Sequence, residues 1–346
     1  MINLESNSIR RAVCLLLFLV CGLTAFCVER GNLRMDESVK EYEVGRIRDY
    51  NIVVDRNGRG HFRNVQQALD SVRAFDPAGT VTIFIRNGVY KEKLELHTHL
   101  TNVVLLGEDR DKTILTYDDH ANIDRMGTFR TYSFIIRGQD ITVENLTIQN
   151  SAEPLGQAVA LHVEGDRIVF RNCRFLGNQD TIYAGRAGSR QYFEHCYIEG
   201  TTDFIFGPST CWFESCEIFC KKNSYITAAN TPESVKYGYI FNNCTIRLAD
   251  AVDAVYLGRP WRAFAMTLFM NCELPKGIKP EGWHNWNKEE NEKTARYMEY
   301  NNTGEGANTN NRANWTKILT KKEAAEYTVE NVLKGCDGWN PTKQKQ

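Results

Sequence analysis

"FRNCRFLGNQDTIY" (170–183) and "FEHCYIEGTTDFIF" (193–206) are near-copies of one pattern. Each runs from a phenylalanine through two polar residues to a cysteine, then through one residue to an apolar position. Each also carries an aspartate seven residues after the cysteine, Asp180 and Asp203. The same template recurs as "VENLTI" (143–148), "FESCEI" (213–218), "FNNCTI" (241–246) and "FMNCEL" (269–274). The six starts are separated by 27, 23, 20, 28 and 28 residues. Short, nearly alternating apolar runs rich in β-branched and aromatic residues, such as "DITVENLTI" and "VTIFI", are strands rather than helical repeats. Strands returning at this spacing, with no amphipathic helix between them, point to an all-β solenoid, a parallel β-helix with one coil per repeat.

In such a fold equivalent residues of successive coils stack about 4.8 Å apart. Cys173, Cys196, Cys216, Cys244 and Cys272 share one template position and read as a ladder of small buried residues rather than disulfide partners. Cys211, Cys220 and Cys336 leave their pairing open. Asn172, Asn243 and Asn271 precede three of the ladder cysteines, and their amides are expected to stack at a coil bend. The Asn-x-Thr triplets at 145 and 243 fall inside strands by this reading, poor places for a glycan.

The ends differ from the repeat. In "NVQQALDSVRAF" (64–75), Val65, Leu69 and Val72 share one helical face behind an Asn64 cap, a helix that would cover the first coil. "NGRG" reads as a tight turn, without the strand-to-helix fingerprint of a phosphate loop. Residues 285–314 read as long surface loops, and "TKKEAAEYTVENVLKG" as one capping-box helix from Thr320 to a stop at Gly335. With 42% hydrophobic residues, 346 residues can bury one large core. A net charge of −1 gives no reason to expect nucleic acid or an anionic membrane as partner. Arg10 and Arg11 before the apolar run "AVCLLLFLVCGLTAF" mark residues 1–27 as a signal peptide, 28–46 as an extension and 47–346 as one β-helix domain. An exported protein follows, periplasmic or secreted, with no membrane span in the mature chain. Cys21 and Cys27 are candidates for lipid attachment that Val20 and Phe26 suit poorly, and an uncleaved anchor is the alternative.

Because Cys173 to Cys196 and Asp180 to Asp203 span the same 23 residues, stacked cysteines imply stacked aspartates. Two carboxyls on adjacent coils cannot both ionise easily, so one becomes a neutral acid and the other an anionic nucleophile or base. Gln179 beside Asp180, and Gln157 on the preceding coil, supply neutral amides suited to a carbonyl oxyanion. Arg259 in "LGRPW" can keep one aspartate ionised, and Trp261, Tyr183 and Phe206 can form an aromatic wall for sugar rings. Pairing alone also suits a retaining glycosidase. There is no Gly-x-Ser-x-Gly elbow, and the seven histidines show no zinc-site spacing.

"GVYKEK" (88–93), "GQAVAL" (156–161), "GNQDTIY" (177–183), "IEGTTDFIFG" (198–207) and "YLGRPW" (256–261) resemble, in order and spacing, the motifs of the pectin methylesterases, over about residues 50–290. The leader and C-terminal helix look more like the bacterial branch. The resemblance implies a right-handed parallel β-helix, here with short end-capping helices, hydrolysing the methyl esters of galacturonate in pectin without a metal or other cofactor; a monomer is expected. Carried over motif by motif, Asp203 is the nucleophile and Asp180 the acid/base. Gln157 and Gln179 stabilise the oxyanion, Arg259 orients the nucleophile, and Trp261, Tyr183 and Phe206 line the groove. Two departures stand out: Thr202 where an apolar residue is usual, and the longer "AGRAGSRQ" (184–191) between the aspartates. The rival readings are a β-helix depolymerase of the same polyuronide and a non-catalytic carbohydrate binder. Only "YDD" (117–119) offers a compact acidic cluster for a calcium-dependent lyase.

Overall fold

The protein, a computed structural model, is described for residues 51–76 and 79–343. The leader and extension (1–46) lie outside them. Within the described residues, 25 strands form three parallel sheets of eleven, seven and seven strands. The chain runs from the eleven-stranded long sheet through a tight bend into the second sheet, loops into the third, and returns. This is a right-handed parallel β-helix.

The template residues explain the long sheet. Leu105, Val143, Phe170, Phe193, Phe213, Phe241 and Phe269 occupy one register column, each opposite the next. From Phe170 to Phe269 the rings stack face to face with centroids 4.3–4.7 Å apart. Spacing of that size is the interstrand distance itself, so the rings add aromatic contact to burial at every coil. The five ladder cysteines are buried and free. Each thiol reaches a carbonyl of the preceding coil, as Cys173 Sγ does Val143 O at 3.4 Å. Cys211 and Cys220 are likewise free and buried, and Cys336 is free and exposed.

The bend itself needs a left-handed residue. Asn145, Asn172, His195, Ser215, Asn243, Asn271 and Asn301 all have φ between 46° and 58°. Asparagine tolerates that conformation best after glycine, which accounts for its recurrence. The amide ladder is real but interrupted. Asn172 Nδ2 donates to Asn145 Oδ1 and Asn301 Nδ2 to Asn271 Oδ1, both at 2.9 Å. Between them, where His195 and Ser215 occupy the bend, Asn243 turns to Glu214 and Asn271 to Asn242. Asn145 and Asn243 therefore stand at bends, not inside strands as read from the sequence, and both amides are engaged.

The ends correct the reading further. The N-terminal helix is Val65–Asp70, with Val65, Leu69 and Val72 buried as expected. Its first amides are capped by Glu92, whose carboxylate accepts from Val65 N (2.9 Å) and Gln66 N (3.0 Å), while the Asn64 side chain makes no cap bond. Residues 285–314 include a long-sheet strand, Arg296–Tyr300. Glu299 stands there in the phenylalanine column, buried and paired with Arg312 at 2.7 Å, which closes the stack with a compensated charge. The C-terminal helix is two: Lys321–Ala324, with the Thr320/Glu323 capping box, and Val329–Leu333, capped by Thr328. Leu319, Ala324, Val332 and Leu333 cover Tyr192, Trp212, Ile240 and Leu268 on the outer face of the long sheet. Arg190 pins this segment through Asp166 and Asp337, both at 2.6 Å. No described helix is long and apolar enough to cross a membrane.

Candidate active site

Both aspartates sit just before strands of the third sheet, in the loops that enter it. The register Ile182↔Ile205 and Tyr183↔Phe206 puts Asp180 opposite Asp203 on adjacent coils, and the pairing continues upstream through Asp180 N–H to Thr202 O at 3.1 Å. Like the asparagines of the bend, both have left-handed backbones, φ 67° and 50°. Two glycines let the strands close up here. A Cβ on Gly207 (φ 121°) would lie 2.2 Å from Ala184 O, and one on Gly258 2.0 Å from Thr227 Oγ1. That is why "DFIFG" and "LGRPW" carry glycine where they do.

The two carboxyls are buried but unequally held. Asp203 receives a two-pronged ion pair from Arg259, Nε to Oδ1 at 3.0 Å and Nη2 to Oδ2 at 2.6 Å. Among the described residues, none donates a hydrogen bond to the Asp180 carboxyl. Burial first, and the Asp203 charge second, push the Asp180 carboxyl well above the ordinary carboxylate range, against a smaller opposing pull from Arg259. Burial pushes Asp203 up too, but the Arg259 hydrogen bonds and charge oppose it. The last proton therefore belongs on Asp180 and the negative charge on Asp203.

Gln179 adjoins Asp180. Gln157 enters the preceding coil, where Ala158 N–H donates to Gln179 O at 3.1 Å. Both glutamines are half-buried, and among the described residues no hydrogen bond engages either side-chain amide. Tyr183, Phe206 and Trp261 form one apolar cluster with Val159 and Ala228. The rings of Tyr183 and Phe206 are 4.8 Å apart, those of Phe206 and Trp261 5.9 Å. The eight predicted site residues thus converge on one outer face of the third sheet and its edge.

Sequence reading missed several neighbours. Tyr132 and Trp286 join the aromatic cluster, and Phe129, nearly half exposed, packs on Tyr183 at 4.9 Å. His162 is buried edge-on against Tyr183 at 4.7 Å, and burial holds its pKa down to about 4. Tyr225 lies one coil beyond Asp203, where its carbonyl accepts the Asp203 N–H at 2.8 Å. Register gives a signal for Tyr225, whereas Trp286 arrives from a loop and has none. The departures are accommodated. Thr202 Oγ1 bonds Ser224 Oγ at 2.8 Å, and the carbonyl of Arg186 in the longer loop accepts from both Ser189 and Ser209 hydroxyls. That loop borders a cleft of about 570 Å³ with Pro208, Asn230 and Arg262. Among the described residues, no three His, Cys, Asp or Glu side chains are gathered as a metal site.

One buried carboxyl in an arginine fork, a second in register beside it, two half-buried glutamines and an aromatic cluster thus share this face. The pectinesterase family profile matches residues 51–336. Pectinesterase 31 of Arabidopsis thaliana is 38% identical over 291 residues, covering 81% of this chain and 91% of that protein. A probable pectinesterase/pectinesterase inhibitor 23 of the same plant is 36% identical over 85% of this chain, which spans 54% of that longer protein. The solved pectin methylesterase from carrot superposes with a TM-score of 0.80 at 30% identity, covering 84% of this chain and 95% of that one. Motif order, β-helix and matches over more than four fifths of the sequence converge: the chain belongs to the pectinesterase family.

Proposed function

We propose that the protein hydrolyses the methyl esters of galacturonate units in pectin, releasing methanol, with Asp203 as nucleophile and Asp180 as general acid and base. The observation that carries this is the unequal pair: one buried carboxyl in the Arg259 fork, the other buried in register beside it with no hydrogen bond of its own. Asp203 attacks the ester carbonyl, and the amides of Gln157 and Gln179 donate to the oxyanion that forms. Asp180 gives its proton to the departing methanol, then takes one from the water that opens the acyl–aspartyl anhydride and frees Asp203. Arg259 stabilises the carboxylate at both ends of the cycle, and Tyr183, Phe206 and Trp261 seat the sugars.

Action on cell-wall pectin fits a chain exported through a leader at 1–27, working as a monomer of one domain from about residue 47. Placement in the bacterial-type branch rests on that leader and the C-terminal segment alone, since the curated relatives reported above are plant proteins. The test is highly methylated pectin incubated with the protein and EDTA. Methanol and acid release without chain shortening is expected. Falling viscosity would replace the esterase with a depolymerase, and neither signal would leave a binder.

A further inference from the structure

The Arg259 guanidinium that grips Asp203 has an aromatic ring on each face. Its Cζ lies 3.9 Å from the Tyr225 ring centroid and 3.8 Å from that of Trp286. Cation–π contact extends to about 6 Å, so both rings are in full stacking contact rather than grazing. The rings have independent origins. Tyr225 opens the strand Tyr225–Ala229, one coil beyond Asp203. Trp286 comes from the loop after the long-sheet strand Met266–Met270, and that loop is built to aim it. His284 N–H bonds Gly258 O at 3.1 Å, Trp286 N–H bonds His284 Nδ1 at 3.0 Å, and Glu292 and Asn291 brace Asn285. Trp286 holds φ 64°, a left-handed backbone that costs a bulky residue about 1–2 kcal/mol. Such strain persists where the surrounding contacts over-determine it and a function benefits.

We infer that Tyr225 and Trp286 are positioning residues of the esterase: together they clamp the Arg259 guanidinium and hold its fork square to the Asp203 carboxylate. This rests on the proposed roles of Asp203 and Arg259. A free arginine side chain samples many rotamers and is hydrated on both faces, whereas the clamp removes that freedom and the water, strengthening the ion pair. The charged and titratable groups around the pair are few. Asp180 faces Asp203 from the preceding coil, the buried Tyr297 phenol feels both Asp203 and Arg259, and His284 lies beyond Arg259 with Lys279 beside it. His284 is held below its ordinary pKa by burial and by the Arg259 and Lys279 charges. Opening the clamp leaves Asp203 easier to protonate, and the acid limb of the rate profile must move to higher pH.

The experiment is the pH profile of kcat/KM for methanol release by the full chain and by Trp286→Leu and Trp286→Phe, with folding checked by thermal melting. Trp286→Leu is expected to lose about tenfold in kcat with its acid limb raised by about one pH unit. Trp286→Phe, which keeps a ring, is expected to recover most of both. Tyr225→Leu and Tyr225→Phe repeat the test from the opposite face should Trp286→Leu fail to fold. A rise in KM alone with an unmoved acid limb would make Trp286 a sugar contact and overturn the clamp, as would unaltered kinetics. Wild-type protein that releases no methanol would instead overturn the ester-hydrolase reading itself.

Discussion

Two corners of this solenoid use the same backbone device for opposite ends. At the bend after the long sheet, a column of left-handed residues, mostly asparagine, spends its amides on side chains and carbonyls of the coil stack. At the entry to the third sheet, Asp180 and Asp203 are also left-handed and also stacked, but Arg259 takes only the Asp203 carboxylate and leaves that of Asp180. Among the described residues, no hydrogen bond reaches the Asp180 carboxyl or the Gln157 and Gln179 side-chain amides. A satisfied ladder holds coils together. An unsatisfied one, buried and flanked by aromatic rings, is a place for a substrate.

The largest expected effect comes from the second corner. Asp203→Asn should reduce methanol release by about 10⁴-fold or more, while thermal melting shows a fold at least as stable as the parent. A variant that retains near-normal turnover would remove the nucleophile from the account. Asp180→Asn removes the proton donor and later base, with an expected loss of about 10³-fold. Loss of the alkaline limb from its pH profile would tie that limb to Asp180, and an unchanged profile would detach it.

The first corner predicts the reverse pattern. Asn172→Ala loses one ladder bond and places a Cβ-bearing residue without a local hydrogen bond at φ 46°, destabilising by about 1–2 kcal/mol with turnover intact. Asn172→Gly loses the ladder bond and the Arg110 contact but suits the left-handed backbone, and should fall between the parent and Asn172→Ala in urea unfolding. Equal stabilities of the Ala and Gly variants would deny the left-handed requirement. A smaller effect concerns His162, between the corners. Its folded pKa of about 4 lies below the unfolded value, so the unfolded chain binds more protons as pH falls from about 6.5 to 4. Stability should decline through that window, and His162→Gln should flatten the decline. An identical pH dependence in the variant would mean another group governs it.

How much of this could be read from residues alone follows the same division. The Phe-x-x-Cys template revealed five of the eleven long-sheet strands, and its Val-x-x-Leu variant at 143 a sixth, because ring stacking and a small buried thiol impose the same residue types on successive coils from Phe170 to Phe269. It missed Arg296–Tyr300, where buried Glu299 paired with Arg312 replaces the phenylalanine. The pairing of Asp180 with Asp203 followed from equal spacing, since coil length fixes register. The helix cap did not: Glu92 reaches Val65 from 27 residues away, and such a contact leaves no local pattern. Trp286 was invisible for the same reason, because an irregular loop carries it to Arg259.

The central claim is that two stacked carboxyls hold different charges at one pH. A ¹³C NMR titration of the aspartate carboxyl carbons tests it most directly, with Asp180→Asn and Asp203→Asn assigning the two signals. Asp203 should lose its proton first, and Asp180 should stay protonated well above the ordinary carboxylate range. Both groups ionising together in that ordinary range, or Asp180 ionising before Asp203, would contradict the account.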